Sequence, residues 1–132
     1  MTIAERQALL AAHVARVQEK PCEWGVDDCT RWAADWVEAV LGIDLQLPTY
    51  RGEARARELI AAAGGLEELW TGALDRAGIF RAYAPSYGDV GLIDTRTGPI
   101  GAIVAHDGLC VVRTSAGASF LRPRVFRALW AI

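Results

Sequence analysis

The sequence predicts a single α+β domain, residues 1–132, in which N-terminal helices pack on a small C-terminal antiparallel sheet. Apolar residues recur at helical spacing through the first part of the chain, whereas short segments rich in β-branched and aromatic residues follow Gly78. Helices that come first, followed by a meander of strands, are typical of α+β domains. The chain is 52% hydrophobic and 23% charged, a composition typical of a globular protein with one core.

The helical periodicity predicts four helices, over Ile3–Glu19, Asp28–Leu41, Glu53–Ala63 and Leu66–Ala77. Pro21 ends the first helix, whose apolar stripe starts at Ile3. Asp28 is a good N-cap for the second helix, and Gly42 is a good C-terminal stop. The two shorter helices each end close to a glycine.

The second part of the chain predicts five strands, over Asp89–Asp94, Ile100–Ala105, Leu109–Arg113, Ala118–Leu121 and Phe126–Ile132. Turn residues separate these segments. His106-Asp107-Gly108 is predicted to form the tip of a hairpin, because Asp-Gly accepts positive φ. Short strands in sequence order indicate an antiparallel meander.

Charge and hydropathy exclude two classes of partner. The net charge of −2 argues against a general nucleic-acid binder, because phosphate affinity needs clustered Lys and Arg. No apolar run approaches the ~20 residues needed to cross a bilayer, so no membrane insertion is expected. The first residues lack the features of a signal peptide. We therefore expect a protein that is made in a cytoplasm.

The three cysteines are Cys22, Cys29 and Cys110. An odd count without an export signal indicates free thiols and no disulfide framework. Cys22 and Cys29 lack the short spacing of common zinc sites, and the chain has only two histidines. We expect no metal and no cofactor.

Arginine and tryptophan residues suggest an interface. No acidic residue follows Asp107, whereas four arginines do: Arg113, Arg122, Arg124 and Arg127. They either keep a sheet edge soluble or form a docking face for an acidic partner. Trp24 and Trp130 lie outside the predicted helices, where they either pack in the core or form part of an interface. We take Arg113, Arg122, Arg124 and Trp130 as the interface candidates.

Cys29 is the residue best placed for chemistry. It follows a glycine-containing turn and lies in the first turn of an amphipathic helix. Unpaired N–H groups and the helix dipole at such a position stabilise a thiolate, which is the form that acts as a nucleophile. The carboxylate of Asp28 opposes this effect unless it is occupied in capping. The alternative is that Cys29 is a small buried apolar residue.

Two motifs carry a resemblance to a known family. The pattern Pro21-x-x-Trp24-Gly25 followed by Asp28-Cys29 resembles the Asp-Cys segment of the NlpC-like, papain-fold cell-wall cysteine peptidases. Gly88-Asp89-Val90 resembles the start of their first strand. The Trp-Gly-x-x-Asp-Cys form is similar to a phage-encoded branch found among tail genes. Further resemblance lies in Gly42-Ile43-Asp44, Tyr50-Arg51-Gly52 and Trp130-Ala131-Ile132.

The resemblance implies a papain-like fold with Cys29 as the nucleophile. It also implies that Trp24, Gly25, Asp28, Gly88 and Asp89 shape the site. In the family, a histidine at the start of the strand after the Gly-Asp strand accepts the thiol proton.

Pro99 occupies the position of this histidine, and proline cannot act as a base. His106 is expected about 20 Å further along the strand, at the hairpin tip. His13 lies on the apolar stripe of the first helix and is expected at the edge of the core.

Two functions from different classes follow. The first is a phage tail-tip or tail-assembly protein with a degenerate peptidase site, which binds other tail proteins and ends in the virion tail. The second is an active cysteine hydrolase that cleaves amide bonds of peptidoglycan stem peptides during phage entry. A cysteine-dependent acyltransferase or deamidase on the same fold is a third reading. The missing base favours the first, because function depends on the site and not on the fold.

Overall fold

The computed structural model describes residues 1–132 and has the predicted order of elements, four helices followed by five strands. The helices are α1 Ile3–Ala15, α2 Cys29–Leu41, α3 Gly52–Ala63 and α4 Leu66–Arg76. The strands are β1 Val90–Thr95, β2 Gly98–Val104, β3 Cys110–Arg113, β4 Ala118–Leu121 and β5 Ala128–Trp130. Every pairing is antiparallel, which confirms the α+β class. None of the helices has the combination of length and hydropathy needed to cross a membrane.

Helix α2 has the ends that the sequence predicts. Asp28 is its N-cap, with a side-chain oxygen that accepts hydrogen bonds from two backbone N–H groups of the first turn. Gly42 ends the helix in the left-handed region, with φ of 70°, where glycine is favoured. Between them the apolar stripe of α2 turns into the core, and Trp36 and Val37 are fully buried. The first residue of α2, Cys29, is half-buried.

Helix α1 is shorter than predicted, and its first turn lies outside the core. It ends at Ala15 because the chain then tightens into turns and reaches a left-handed φ of 57° at Glu19. Ile3, expected on the buried stripe, is exposed. The buried residues of α1 begin only at Leu10, so it is the second half of the helix that packs into the core.

The sheet has the order β4-β3-β2-β1-β5. Strands β1 to β4 form a meander, and β5 returns to the free side of β1, where Trp130 is opposite Val90. A two-residue turn joins β1 to β2, because Thr95 pairs with Gly98. Strand β2 therefore begins earlier than predicted, and Pro99 is its second residue. The hairpin tip at residues 106–108 is confirmed, with positive φ at Asp107 and Gly108.

The core lies between the helices and one face of the sheet. Its largest fully buried side chains are those of Trp36 and Trp130, and the ring of Trp130 lies 5.9 Å from that of Trp70. The prediction of Trp130 as an interface residue is therefore wrong. Its position in β5, between β1 and the segment around Arg81, encloses the indole.

Arg113 is also buried, so its prediction as a docking residue is wrong. Its side chain is 0% exposed and forms an ion pair with Asp27, 3.2 Å between Nη2 and Oδ2. Its guanidinium also donates to the backbone carbonyls of Asp27, Lys20, Thr114 and Gly117. Arg113 thus fastens the end of β3 to the segment that leads into α2. The acid that balances its charge is distant in sequence, which is why local composition did not reveal it.

Candidate functional site

Cys29 lines a cleft of about 390 Å³. The walls come from the segment before α2, the α2–α3 connection, α3, the start of α4, the β1–β2 turn with the start of β2, and the residues after β3. Apolar side chains dominate one side, among them Leu59, Ile60 and Leu69. Polar residues also line the cleft, including Thr114 and Ser115. The cleft combines a large apolar surface with a few polar groups, as ligand sites do.

Asp28 fixes the start of α2 and with it the position of Cys29. One carboxylate oxygen accepts hydrogen bonds from the N–H groups of Thr30 and Arg31, both at 3.1 Å. The other accepts from the N–H of Gly25 at 2.7 Å and from the hydroxyl of Tyr50 at 2.6 Å. The carboxylate is therefore fully occupied in capping and in holding the α2–α3 connection.

The surroundings of Cys29 act against the formation of a thiolate. Burial is the largest influence and raises its pKa, and the nearby charge of Asp28 acts in the same direction. The backbone of Gly101 and the hydroxyl of Thr30 lower the pKa, but their effect is smaller than that of burial. A nucleophilic cysteine needs the opposite shift. Cys29 thus lies at a helix start, but burial and the charge of Asp28 oppose the lowered pKa that a nucleophile needs.

Pro99 lines the same cleft as Cys29, and neither histidine does. His13 is buried between α1 and α2, with Nε2 2.8 Å from the carbonyl oxygen of Trp32 and its ring stacked on that indole. His106 lies at the hairpin tip and stacks on Tyr87. Both positions agree with the expectations from the sequence. Neither imidazole forms a hydrogen bond with the thiol.

Tyr50 is a site residue that the sequence suggested only as part of a similarity. Burial and the adjacent Asp28 hold the pKa of Tyr50 well above its usual value, so its hydroxyl remains a donor. The guanidinium of Arg31 lies over the ring, 5.2 Å from its centroid, and also donates to the carbonyl of Pro48. These contacts hold the α2–α3 connection against the start of α2, where it forms a wall of the cleft.

Two glycines allow the chain to approach closely at the cleft. Gly25 has φ of 92°, and a Cβ there would lie 2.1 Å from the carbonyl oxygen of Tyr50. At Gly101 a Cβ would lie 2.6 Å from the indole of Trp70 and 3.3 Å from the carbonyl oxygen of Cys29. Glycine is needed at these positions because β2 and residues 48–50 lie directly against the start of α2. Trp24, next to Gly25, is half-buried and lines the cleft.

Gly88 and Asp89 do not line the cleft, although the resemblance placed them at the site. The carbonyl of Gly88 accepts from the indole N–H of Trp36 at 2.8 Å, so this glycine lies against the core. The Asp89 carboxylate accepts from the N–H groups of Ser86 and Ile132. The Gly-Asp motif thus joins β1, α2 and the end of the chain, and its role is structural.

The remaining arginines divide by exposure and partners. Arg127 is exposed and pairs with Asp94 and Glu67. Arg122 and Arg124 are exposed and form no ion pair. Of the predicted interface residues, only these two have the exposure that an interface requires.

Fold and site together define a class: an α+β domain with a half-buried cysteine at a helix start, facing a preformed cleft. The whole chain, residues 1–132, matches the DUF6950 family, described as a domain of unknown function. The chain therefore belongs to this family. Neither the curated proteins nor the solved structures include a significant match to it.

Proposed function

We propose that this chain is a phage tail or tail-assembly protein with a papain-like, NlpC-type fold and a peptidase site that has lost its base. The observation that carries the proposal is that Cys29 and Pro99 line the same cleft. The order of elements, with the cysteine helix before a Gly-Asp strand and Pro99 on the next strand, supports the family resemblance. If the resemblance holds, the position of the family's histidine lines the same cleft as the cysteine and holds a proline.

The chemistry of the cleft supports a non-catalytic role. A general base contributes about 10²–10⁴-fold to the rate of such reactions. Here burial raises the pKa of the Cys29 thiol, so the fraction of thiolate at neutral pH is small. Loss of the base and loss of thiolate act together. The cleft then serves to bind and not to cleave.

The direct test is incubation of the purified protein with peptidoglycan sacculi and with isolated stem peptides. We expect no release of soluble fragments above the level given by Cys29→Ala. A Cys29→Ala phage should still assemble infectious tails, because the cysteine has no chemical task. Cleavage by the wild type at ordinary enzyme rates, abolished in Cys29→Ala, would contradict the proposal.

A gain-of-function variant tests the alignment of Pro99 with the base. Ser115 and Cys29 line the same cleft as position 99. In Pro99→His the imidazole would therefore enter a cleft that holds both a polar side chain and the thiol. We expect Pro99→His to increase alkylation of Cys29 by iodoacetamide at neutral pH. Arg96→His, at an exposed residue of the β1–β2 turn that does not line the cleft, is the matched control.

An active cysteine hydrolase is the second candidate function. The observation in its favour is that Cys29, as a residue, is half-buried and lines a cleft. An active site predicts a thiolate that reacts with iodoacetamide at a constant rate down to mildly acidic pH. The raised pKa predicts a rate that keeps rising into the alkaline range. The pH profile of alkylation, with Cys29→Ala to subtract the other thiols, separates the two.

The tail assignment has its own test. Purified virions, separated into heads and tails, should contain the protein in the tail fraction. Pull-down from infected cells should recover other tail proteins. If the protein remains in the cytoplasm and is absent from virions, the tail role is contradicted, whatever the cleft does.

A further inference from the structure

The two edges of the sheet differ. Beyond β5, residues 80–82 pair with the strand, through bonds from the N–H of Ala82 to Leu129 and from the N–H of Ala131 to Phe80. Beyond β4 no segment of the chain pairs, so β4 is a free edge. A free edge presents unpaired N–H and C=O groups to any extended chain that approaches it.

The orientation of the free backbone groups follows from one contact. The N–H of Ala118 donates to the Gln18 side chain at 3.4 Å and therefore points away from β3. Residues two apart in a strand direct their backbone groups to the same side, so the N–H and C=O of Phe120 also point outward. Gln18 covers the beginning of this edge. The open part runs from Phe120 towards Arg122.

The side chain of Phe120 adds an apolar contact at this edge. It is opposite Val111, a fully buried residue of the core face, and cross-strand partners lie on the same face of a sheet. Phe120 is nevertheless 52% exposed. The helices cover Val111 but leave Phe120 in the edge strand β4 partly exposed, so its aromatic ring is available to a partner.

The charge at the end of the edge is positive and unbalanced. Arg113 and Arg127, which flank the region in sequence, have acidic partners. Arg122 donates only to the backbone carbonyl of Asp107, and Arg124 makes no hydrogen bond or ion pair within the chain. Two exposed guanidinium groups with free donors thus follow the open part of β4. Such groups favour bidentate bonds to carboxylates.

We propose that the outer edge of β4 binds an extended, acidic peptide segment of another protein by strand addition. Main-chain bonds to Phe120 would supply affinity, its ring would contact an apolar side chain, and Arg122 and Arg124 would select carboxylates. A second copy of this chain is a poorer occupant, because its own edge supplies two further arginines and no carboxylate. The site is separate from the cleft and does not depend on whether the cleft is catalytic.

The test uses a short fluorescein-labelled peptide in which valine and glutamate alternate, and a matched peptide with lysine for glutamate. Fluorescence anisotropy should show that the wild type binds the glutamate peptide and does not bind the lysine peptide. The affinity for the glutamate peptide should fall as salt is added. Arg122→Glu with Arg124→Glu should weaken binding of the glutamate peptide by about tenfold or more, since two attractions become repulsions. Arg51→Glu with Arg96→Glu, two other exposed arginines without ion pairs, makes the same change in net charge and should bind as the wild type does.

A second measurement tests strand addition itself without altering the protein. A glutamate peptide with N-methyl groups on every second amide keeps its charge but cannot pair along one side. Two such peptides are made, each methylated on one of the two alternating sets of amides. The peptide whose methyl groups face the edge of β4 should lose binding, and the other peptide should keep it. Equal binding of both would overturn pairing through the backbone.

Three further outcomes would overturn the proposal. The first is equal affinity of the wild type for the glutamate and lysine peptides. The second is undiminished binding by the Arg122→Glu, Arg124→Glu variant. The third is absence of peptide binding together with self-association of Arg122→Gln with Arg124→Gln, seen by light scattering. That result would mean that the two arginines only protect the edge from aggregation.

Discussion

Two buried aspartates, Asp28 before α2 and Asp89 before β1, follow glycine turns with nearly the same φ, 92° at Gly25 and 89° at Gly88. They are 2% and 4% exposed, but their surroundings differ. Asp28 accepts four hydrogen bonds and organises the cleft. Asp89 accepts two, and burial raises its pKa despite them. Two carboxylates that are equally buried thus differ in the number of hydrogen-bond donors around them. That number decides how many neighbouring segments each carboxylate holds in place.

Replacement of Asp28 should have the largest effect. Asp28→Ala removes the cap of α2 and leaves the N–H of Gly25 and the hydroxyl of Tyr50 without their acceptor. We expect a loss of about 3 kcal/mol or more in the free energy of unfolding. Urea denaturation measures it, and Asp75→Ala on α4, an exposed aspartate, is the control. A loss below about 1 kcal/mol would contradict the central role of Asp28.

Gly25→Ala should come next. The added Cβ would meet the carbonyl oxygen of Tyr50, and alanine is strained at a φ of 92°. We expect a loss of about 2 kcal/mol and a wider cleft, since residues 48–50 must move away from α2. Thermal denaturation gives the first, and faster alkylation of Cys29 gives the second. Gly42→Ala is the control, because nothing lies near its Cβ position and only backbone strain applies.

Tyr50→Phe sharpens the comparison by removing one of the four donors to Asp28. This hydrogen bond is strengthened by the charge of the carboxylate, but Tyr50 is only half-buried. We therefore expect a loss of about 1.5 kcal/mol in the free energy of unfolding. The aromatic ring remains, so the wall of the cleft should keep its shape. A crystal structure of the variant checks the position of residues 48–50. Tyr83→Phe, at a fully exposed tyrosine, should change nothing measurable.

Asp89→Asn should have the smallest effect, and its sign depends on pH. The folded protein raises the pKa of Asp89, so it holds this proton more tightly than the unfolded chain does. The resulting stabilisation is present below the unfolded pKa and is lost as pH rises through the folded pKa. Asparagine cannot titrate, so the difference in stability between wild type and variant should shrink or reverse from acidic to neutral pH. A difference that is constant over this range would contradict the raised pKa.

The order of elements could be predicted from the sequence because the signals are local. The cap at Asp28, the stop at Gly42 and the turn at Asp107 and Gly108 each depend on a few neighbouring residues. The buried states of Arg113 and Trp130 could not be predicted in the same way. Arg113 is buried because Asp27 and the carbonyl of Lys20 come to it from the other half of the chain.

The candidate site shows the same limit. The motif around Cys29 predicted its place at a helix start, and Cys29 and Pro99 line one cleft. The bond between Tyr50 and Asp28 could not be predicted, since a tyrosine in a connection gives no periodic signal. The sequence predicted Asp28 as the N-cap of α2, which is confirmed, but not the two further donors, Gly25 and Tyr50, on its second oxygen. Contacts between distant segments decide these points.

The contacts of Arg113 have a consequence for the timing of synthesis. The carbonyls of Lys20 and Asp27 accept from a residue that is translated much later. A nascent chain on the ribosome can form α1 and α2 early, but the turn before Cys29 is fastened only after β3 has emerged. Until then the part of the cleft wall formed by the residues after β3 is missing. The cleft is thus completed only after Arg113 has been made, and nascent chains stalled before Arg113 should expose Cys29 to thiol reagents.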